Sequence, residues 1–194
     1  MSGRLSLSYT AAGIRRADTV ALARAFADCG DWGVVRRRSI QDDLLMIRQE
    51  SSCKRVTSEL LKRLRTLLPA ELAALADPPS ADFANAVCWL AICRTYAFVR
   101  GFVTGVVGLR WQEGVRTLSA GAYEAYVDDE AELHPELVAL SEQTKARLRS
   151  QLFTMLREMG FLDRADELHP YLLPEGIGPL IDPEDLVVFP TLVS

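Results

Sequence analysis

Lys54, Arg55, Ser58, Lys62 and Arg65 are spaced so that a helix gathers them on one side. Advancing 100° per residue from Lys54 brings these five together. Val56, Leu60, Leu61, Leu64, Leu67 and Leu68 fall on a broad apolar arc opposite. Ammonium, guanidinium and hydroxyl groups lined along one wet helix face are the groups that meet phosphate oxygens. Upstream, Ile40–Arg48 is expected to form a shorter helix, with Gln49-Glu50-Ser51-Ser52 as the turn and either serine as the N-cap of a helix over Cys53–Leu68. A helix, a tight turn and a basic second helix are the parts of a helix-turn-helix. Arg36-Arg37-Arg38 precedes them. Consecutive side chains splay around a helix end, so one or two of the three can reach a phosphate, and Arg36 and Arg37 are taken as the candidates. The plain alternative is a solvated basic face.

Other chemistry finds little to stand on. Asp128 and Glu132 are four apart, with His134 next in line, which is the one grouping that resembles a cation site. A solvated acidic helix end explains it as well. Cys29, Cys53, Cys88 and Cys93 show no CxxC pair, so no metal is expected. No GxSxG elbow or cysteine–histidine pairing offers a nucleophile, and both histidines precede prolines. Gly101, Gly105 and Gly108 lie in an apolar stretch without the lysine and hydroxyl of a phosphate loop. No catalysis and no cofactor are expected.

The net charge is −4, which argues against wrapping nucleic acid with the whole surface, but the charge is unevenly spread. Residues 1–68 carry +6, residues 69–144 carry −7, residues 145–166 carry +2 and the remainder carries −5. One cationic face on an otherwise acidic protein fits a nucleic-acid contact. Equally, the acidic part fits a docking surface for a protein. Arg94, Arg100 and Arg110 interrupt the long apolar stretch Phe83–Trp111, so a membrane span is not expected there. With no signal peptide and unpaired cysteines, a cytoplasmic protein with reduced thiols is expected.

The elements that must position the basic face are helices. Asp18 or Thr19 begins one, Gly30 ends it and Asp31 caps the next. Pro69 opens another in its first turn. Asp77-Pro78-Pro79-Ser80 resembles a linker, dividing the chain into an N-terminal helical lobe of residues 1–76 and a C-terminal lobe of residues 77–194. Phe83–Trp111 is expected as a buried central helix, kinked near Gly101 to Gly108, whose Trp89, Tyr96, Phe98 and Phe102 belong to the core. Leu118–Glu132 follows, then Pro135 opens a short turn of helix. Ser141 caps a long helix to Met159 that buries Leu148, Leu152, Phe153, Met155, Leu156 and Met159, with Gly160 as its C-cap. Extended character at His169–Leu173 suggests a small β wing, and with the helices before it a second, weaker helix-turn-helix over Glu136–Leu173. The class is all-α.

A series of short matches along this pattern resembles the BrxA family, a small component of BREX bacteriophage-exclusion systems. They are Tyr9-Thr10 with Gly13, Asp31-Trp32, Ser52 with Lys54-Arg55, Arg63-Leu64, and Ile92-Cys93-Arg94 with Tyr96. Further matches are Phe102-Val103, His134-Pro135-Glu136-Leu137, Thr144-Lys145, and Leu156-Arg157-Glu158 leading to Gly160, Leu162 and Asp163. Their order spans Tyr9 to Pro190. The resemblance implies two small helical lobes, a fold like that of the antitermination factor NusB, and DNA binding without catalysis. It places Ser52, Lys54, Arg55 and Arg63 in the binding pattern. The expectation is a non-enzymatic DNA-binding accessory of phage defence that contacts mainly the phosphate backbone through Arg36, Arg37, Ser52, Lys54, Arg55, Ser58, Lys62 and Arg65. Its partners would be double-stranded DNA and other defence-complex subunits, with no membrane, and a monomer is expected. The alternative is a scaffold subunit that docks protein through its acidic surface. RNA binding is a third possibility, suggested by fold alone.

Overall fold

Gly30 and Asp31 end the first helix and start the second where the sequence marks them. The first begins after Arg15 and not at Asp18 or Thr19, because the left-handed backbone of Arg15 already turns the chain into it. The computed structural model describes residues 5–193. Helix α1 (Arg16–Cys29) ends at Gly30, whose left-handed backbone lets its N–H reach the Phe26 carbonyl. Asp31 then caps α2 (Trp32–Gln41), accepting from the amides of Gly33 at 2.6 Å and Val34 at 3.3 Å. Helices α3 (Glu50–Leu64), α4 (Pro69–Ala76) and α5 (Ala81–Thr95) follow. Ala97–Gly101 is α6, Phe102–Val107 winds as a π-helix, and Gly108–Gln112 is α7. Helices α8 (Ala120–Leu133) and α9 (Glu142–Glu158) complete the set, with short 3₁₀ turns at Ser8–Ala11, Pro135–Leu137 and Pro183–Val188. The protein is all-α.

The chain gathers into two units. One holds Ile14–Thr95 and Pro174–Pro183. Its centre is α5, in which Phe83, Ala84, Ala86 to Cys93 are all buried, against α1, α3 and α4. Such a helix, apolar on every side, is stable only when neighbours cover it. The grouping departs from the division expected at Ala76 and Asp77. Asp77–Ser80 is a bend inside this unit, because α5 supplies core to the helices before it. Glu71 is fully buried in α4, where it takes two hydrogen bonds from Arg94, at 2.6 and 2.8 Å, and one from the Leu68 amide at 2.7 Å. That carboxylate ties the α3–α4 corner to α5.

Among the described residues, the other unit holds residues 5–13, Tyr96–Leu173 and residues 184–193. Its core is aromatic. Phe98 and Phe102 meet Tyr123 and Tyr126 of α8, and Phe102 lies 6.5 Å from Phe153 of α9. Tyr9 is wholly buried, stacks on Phe98 and donates to the Leu148 carbonyl at 3.1 Å. Helix α9 begins and ends as read from the sequence: the Ser141 hydroxyl accepts from the Thr144 amide at 3.2 Å, and Gly160 takes φ +78°. The expected single helix over Phe83–Trp111 is broken at Tyr96, whose backbone is extended. Between Gly101 and Gly108, where a kink is expected, the chain winds as a π-helix.

Extended structure is limited to three isolated bridges, and no strand is found among the described residues. Leu162 pairs with Leu168 and Thr117 with Glu167, both antiparallel, so the 167–168 segment lies between the other two. The turn of this hairpin is held by Asp163, whose carboxylate accepts from the amides of Ala165 at 2.8 Å and Glu167 at 2.9 Å. It precedes the expected wing at His169–Leu173, because Asp163 and the left-handed Asp166 (φ 61°) turn the chain there. No single described helix is long and apolar enough to cross a membrane.

Candidate nucleic-acid interface

Helices α2 and α3 carry the candidate residues and run antiparallel. At one end the Ser39 and Thr57 hydroxyls lie 2.7 Å apart and the Cys53 thiol donates to the Ser39 carbonyl. At the other, the Arg65 guanidinium sits 5.9 Å from the centre of the Trp32 ring. The helix expected over Ile40–Arg48 is absent, since α2 ends at Gln41 and eight residues connect it to α3. Asp43 and Met46 both have positive φ, and the Met46 amide bonds back to the Asp43 carbonyl. Gln49 precedes α3 as its N-cap, so neither Ser51 nor Ser52 is the cap. A helix-turn-helix has a turn of about 3–4 residues, so this eight-residue connection does not make the expected one over Ile40–Leu68.

On α3 the amphipathic pattern is realised. Val56, Leu60, Leu61, Leu64 and Leu67 are buried, and Leu68, beyond the helix end, is half exposed. Lys54, Arg55, Lys62 and Arg65 are exposed and Ser58 is half-buried on the same arc. Their charges are not equally available. Lys54 pairs with Glu50 one turn back, and Lys62 stands 3.8 Å from Glu59. That Lys54 hydrogen bond, together with its charge, holds Glu50 below the usual carboxylate range. Arg55 and Arg65 have no carboxylate partner among the described residues. Ser52 is half-buried and donates to the Gln49 side chain at 3.0 Å.

On α2, Arg36 and Arg37 are exposed, and neither has a carboxylate partner among the described residues. Arg36 lies one turn beyond Trp32, on the side that meets Arg65, and Arg37 is a further 100° around the helix. Arg38 stands 3.9 Å from Asp42. Arg63, which the family resemblance placed in the binding pattern, is 2% exposed and cannot reach a ligand. On the wheel it lies opposite Lys54, within the apolar arc.

Other exposed cations were not singled out from the sequence, Arg16 at the start of α1 among them. Arg48 is exposed in the α2–α3 connection, Arg147 on α9 and Arg164 in the hairpin turn, without carboxylate partners among the described residues. The same 100° stepping, applied to α9, gathers Gln143, Arg147, Ser150 and Thr154 on the arc away from Leu148, Leu152 and Met155, and all four are exposed.

Fold and surface together define an all-helical protein with an exposed cationic helix pair. The BrxA family model matches residues 4–182, and the chain belongs to the BrxA family. It is therefore a component of a BREX phage-defence system. A similar fold is found in the crystal structure of an uncharacterized protein from Magnetospirillum magneticum, with TM-score 0.81, 17% identity, and 97% and 98% of the two chains covered. No curated protein matches the chain.

Proposed function

We propose that this protein is a non-enzymatic DNA-binding accessory of its defence system, which holds double-stranded DNA mainly through the phosphate backbone. The observation that carries this reading is the set of exposed arginines on and beside the α2–α3 pair, Arg36, Arg37, Arg55 and Arg65, none neutralised by a carboxylate among the described residues. A guanidinium without a partner can form bidentate bonds to phosphate without first breaking an ion pair. Lys54 and Lys62 add charge at the same arc, and Ser52 and Ser58 add hydroxyls. The other unit supports the same reading. The α6 to α7 stretch, a bridged segment at Thr117, α8, α9 and a small hairpin follow one another in the order of a winged helix. Its α9 presents Gln143, Arg147, Ser150 and Thr154, with Arg164 at the hairpin turn.

Fluorescence anisotropy with a labelled DNA duplex, titrated in salt, tests the proposal. Three arginine–phosphate contacts give a log–log slope of about −2.7, at roughly 0.9 per phosphate. Replacing Arg36, Arg37 and Arg55 together by glutamate flattens that slope and leaves the helical content unchanged. No binding at low ionic strength rejects the reading. A scaffold role has one observation of its own: Asp128, Asp129 and Glu132 on α8 are exposed and unpaired among the described residues. Co-purification with other defence subunits that survives nuclease treatment supports that role.

A further inference from the structure

Helix α4 is unusually apolar for its exposure. Its residues are Pro69-Ala70-Glu71-Leu72-Ala73-Ala74-Leu75-Ala76, and its one charge, Glu71, is fully buried against Arg94. What faces solvent is Pro69, Ala70 and Ala73, with Leu68 before them 52% exposed. A surface helix ordinarily turns charged or polar side chains outward, and one apolar all round is ordinarily covered. Beside α4 lies a groove of about 350 Å³, walled by Phe26, Trp32, Leu64, Leu67, Leu72 and Ala73. The Phe26 and Trp32 rings stack with centroids 3.8 Å apart, forming a flat apolar side to the groove. Arg65 is the one charged residue in its lining.

We infer that this groove is a docking site for a short amphipathic, acidic helix of a partner protein. Apolar side chains of the partner would fill the groove, and a carboxylate beside them would pair with Arg65. Charge decides the sign. The lining contains no acid, and the guanidinium of Arg65 lies over the Trp32 ring, 5.9 Å from its centre, with no carboxylate partner among the described residues. An anionic flank therefore gains a charge-assisted bond, whereas a cationic flank meets repulsion. Tryptophan and arginine at the edge of an apolar pocket are also the residue types that dominate binding energy at interfaces. The concave shape favours an inserted side chain over a flat lipid surface. Helix-in-groove recognition needs only this combination of apolar anchors and a charged rim.

The full chain is titrated with two synthetic helical peptides of about sixteen residues, long enough to be partly helical. Both carry leucines at three- and four-residue spacing, one flanked by glutamates and the other by lysines. Calorimetry and tryptophan emission report binding. The glutamate peptide should bind roughly tenfold or more tighter than the lysine peptide. Arg65→Glu should reverse that order. Ala73→Glu, at an exposed position with a helix-favouring residue, should remove binding of the glutamate peptide while DNA retention at the α2–α3 face stays unchanged. The inference is overturned if neither peptide binds, or if the preference survives Arg65→Glu. It is also overturned if Ala73→Glu instead releases the chain from vesicles of phosphatidylcholine and phosphatidylglycerol, or converts a dimer to monomer in sedimentation. Loss of DNA binding alone counts against the proposed function and not against the groove.

Discussion

Replacing Glu71 should test whether the α3–α4 corner depends on one buried carboxylate. Glu71 is fully buried, and its oxygens take the Arg94 guanidinium at 2.6 and 2.8 Å together with the Leu68 amide at 2.7 Å. Arg94 also donates to the Thr66 carbonyl at 3.2 Å, so its side chain spans the turn between the two helices. Glu71→Ala takes from the largely buried Arg94 guanidinium the carboxylate it bonds twice and strips the N-terminal cap from α4. Breaking a buried pair from one side costs about 3–5 kcal/mol. Urea unfolding followed by Trp89, which is fully buried in α5 of the same unit, reads that loss. With a slope of about 1–3 kcal/mol per molar, the midpoint falls by roughly 2 M. Glu71→Gln keeps an acceptor for Leu68 and should lose about half as much. Adding Arg94→Met to Glu71→Ala removes the buried charge that faced Glu71 and should recover part of the loss. The reasoning fails if Glu71→Ala costs under about 1 kcal/mol, or if the double variant is no more stable than Glu71→Ala alone.

Three other outcomes follow from local geometry. Burial pushes the Cys88 thiol up to about 12, and Cys53 and Cys93 are buried too, so iodoacetamide at mildly alkaline pH should modify Cys29 alone until denaturant is added, as counted by mass spectrometry. Gly101→Ala directs a methyl group into the Tyr126 hydroxyl, which donates to the Phe98 carbonyl at 3.0 Å, and should destabilise its unit by about 1–3 kcal/mol in thermal unfolding followed by near-ultraviolet circular dichroism. The Glu167 amide and then His169 hold Asp163 below its ordinary value of 3.8. Its contribution to the hairpin is therefore present above 3.8 and fades as pH falls through the lower native value. The Ala165 and Glu167 amide resonances should titrate with a midpoint under 3.8, and one at or above it would refute the assignment.

Much of the fold could be read where a boundary depends on one residue's backbone or side chain. Gly30 and Gly160 stop helices because they accept positive φ, and Asp31 and Ser141 start them because a side-chain oxygen meets free amides. Ile40–Arg48 misled because Leu44, Leu45 and Ile47 imitate helical spacing. Asp42 and Asp43 disfavour it, because aspartate competes for backbone amides and tolerates the left-handed conformation that Asp43 adopts. The break at Tyr96 had no strong local signal, since no glycine or proline stands there and Thr95 and Tyr96 disfavour helix only weakly. Of the candidate site, the solvent arc of α3 was legible from periodicity alone. The ion pairs that engage Lys54 and Lys62 were legible too, because Glu50 and Glu59 stand four and three residues before them. What periodicity could not supply was the pairing of α3 with α2, which depends on contacts such as Ser39 with Thr57.

The two units are interleaved along the chain, and this bears on how the protein is made. Tyr9 leaves the ribosome early yet needs Leu148 as its acceptor, while Pro174–Pro183 is synthesised late and joins helices that emerged long before. Neither half can be cut out with two termini and keep all of its parts. Nascent α1–α5 have to wait for their last segment, and Tyr9 has to wait for the aromatic core that will receive it.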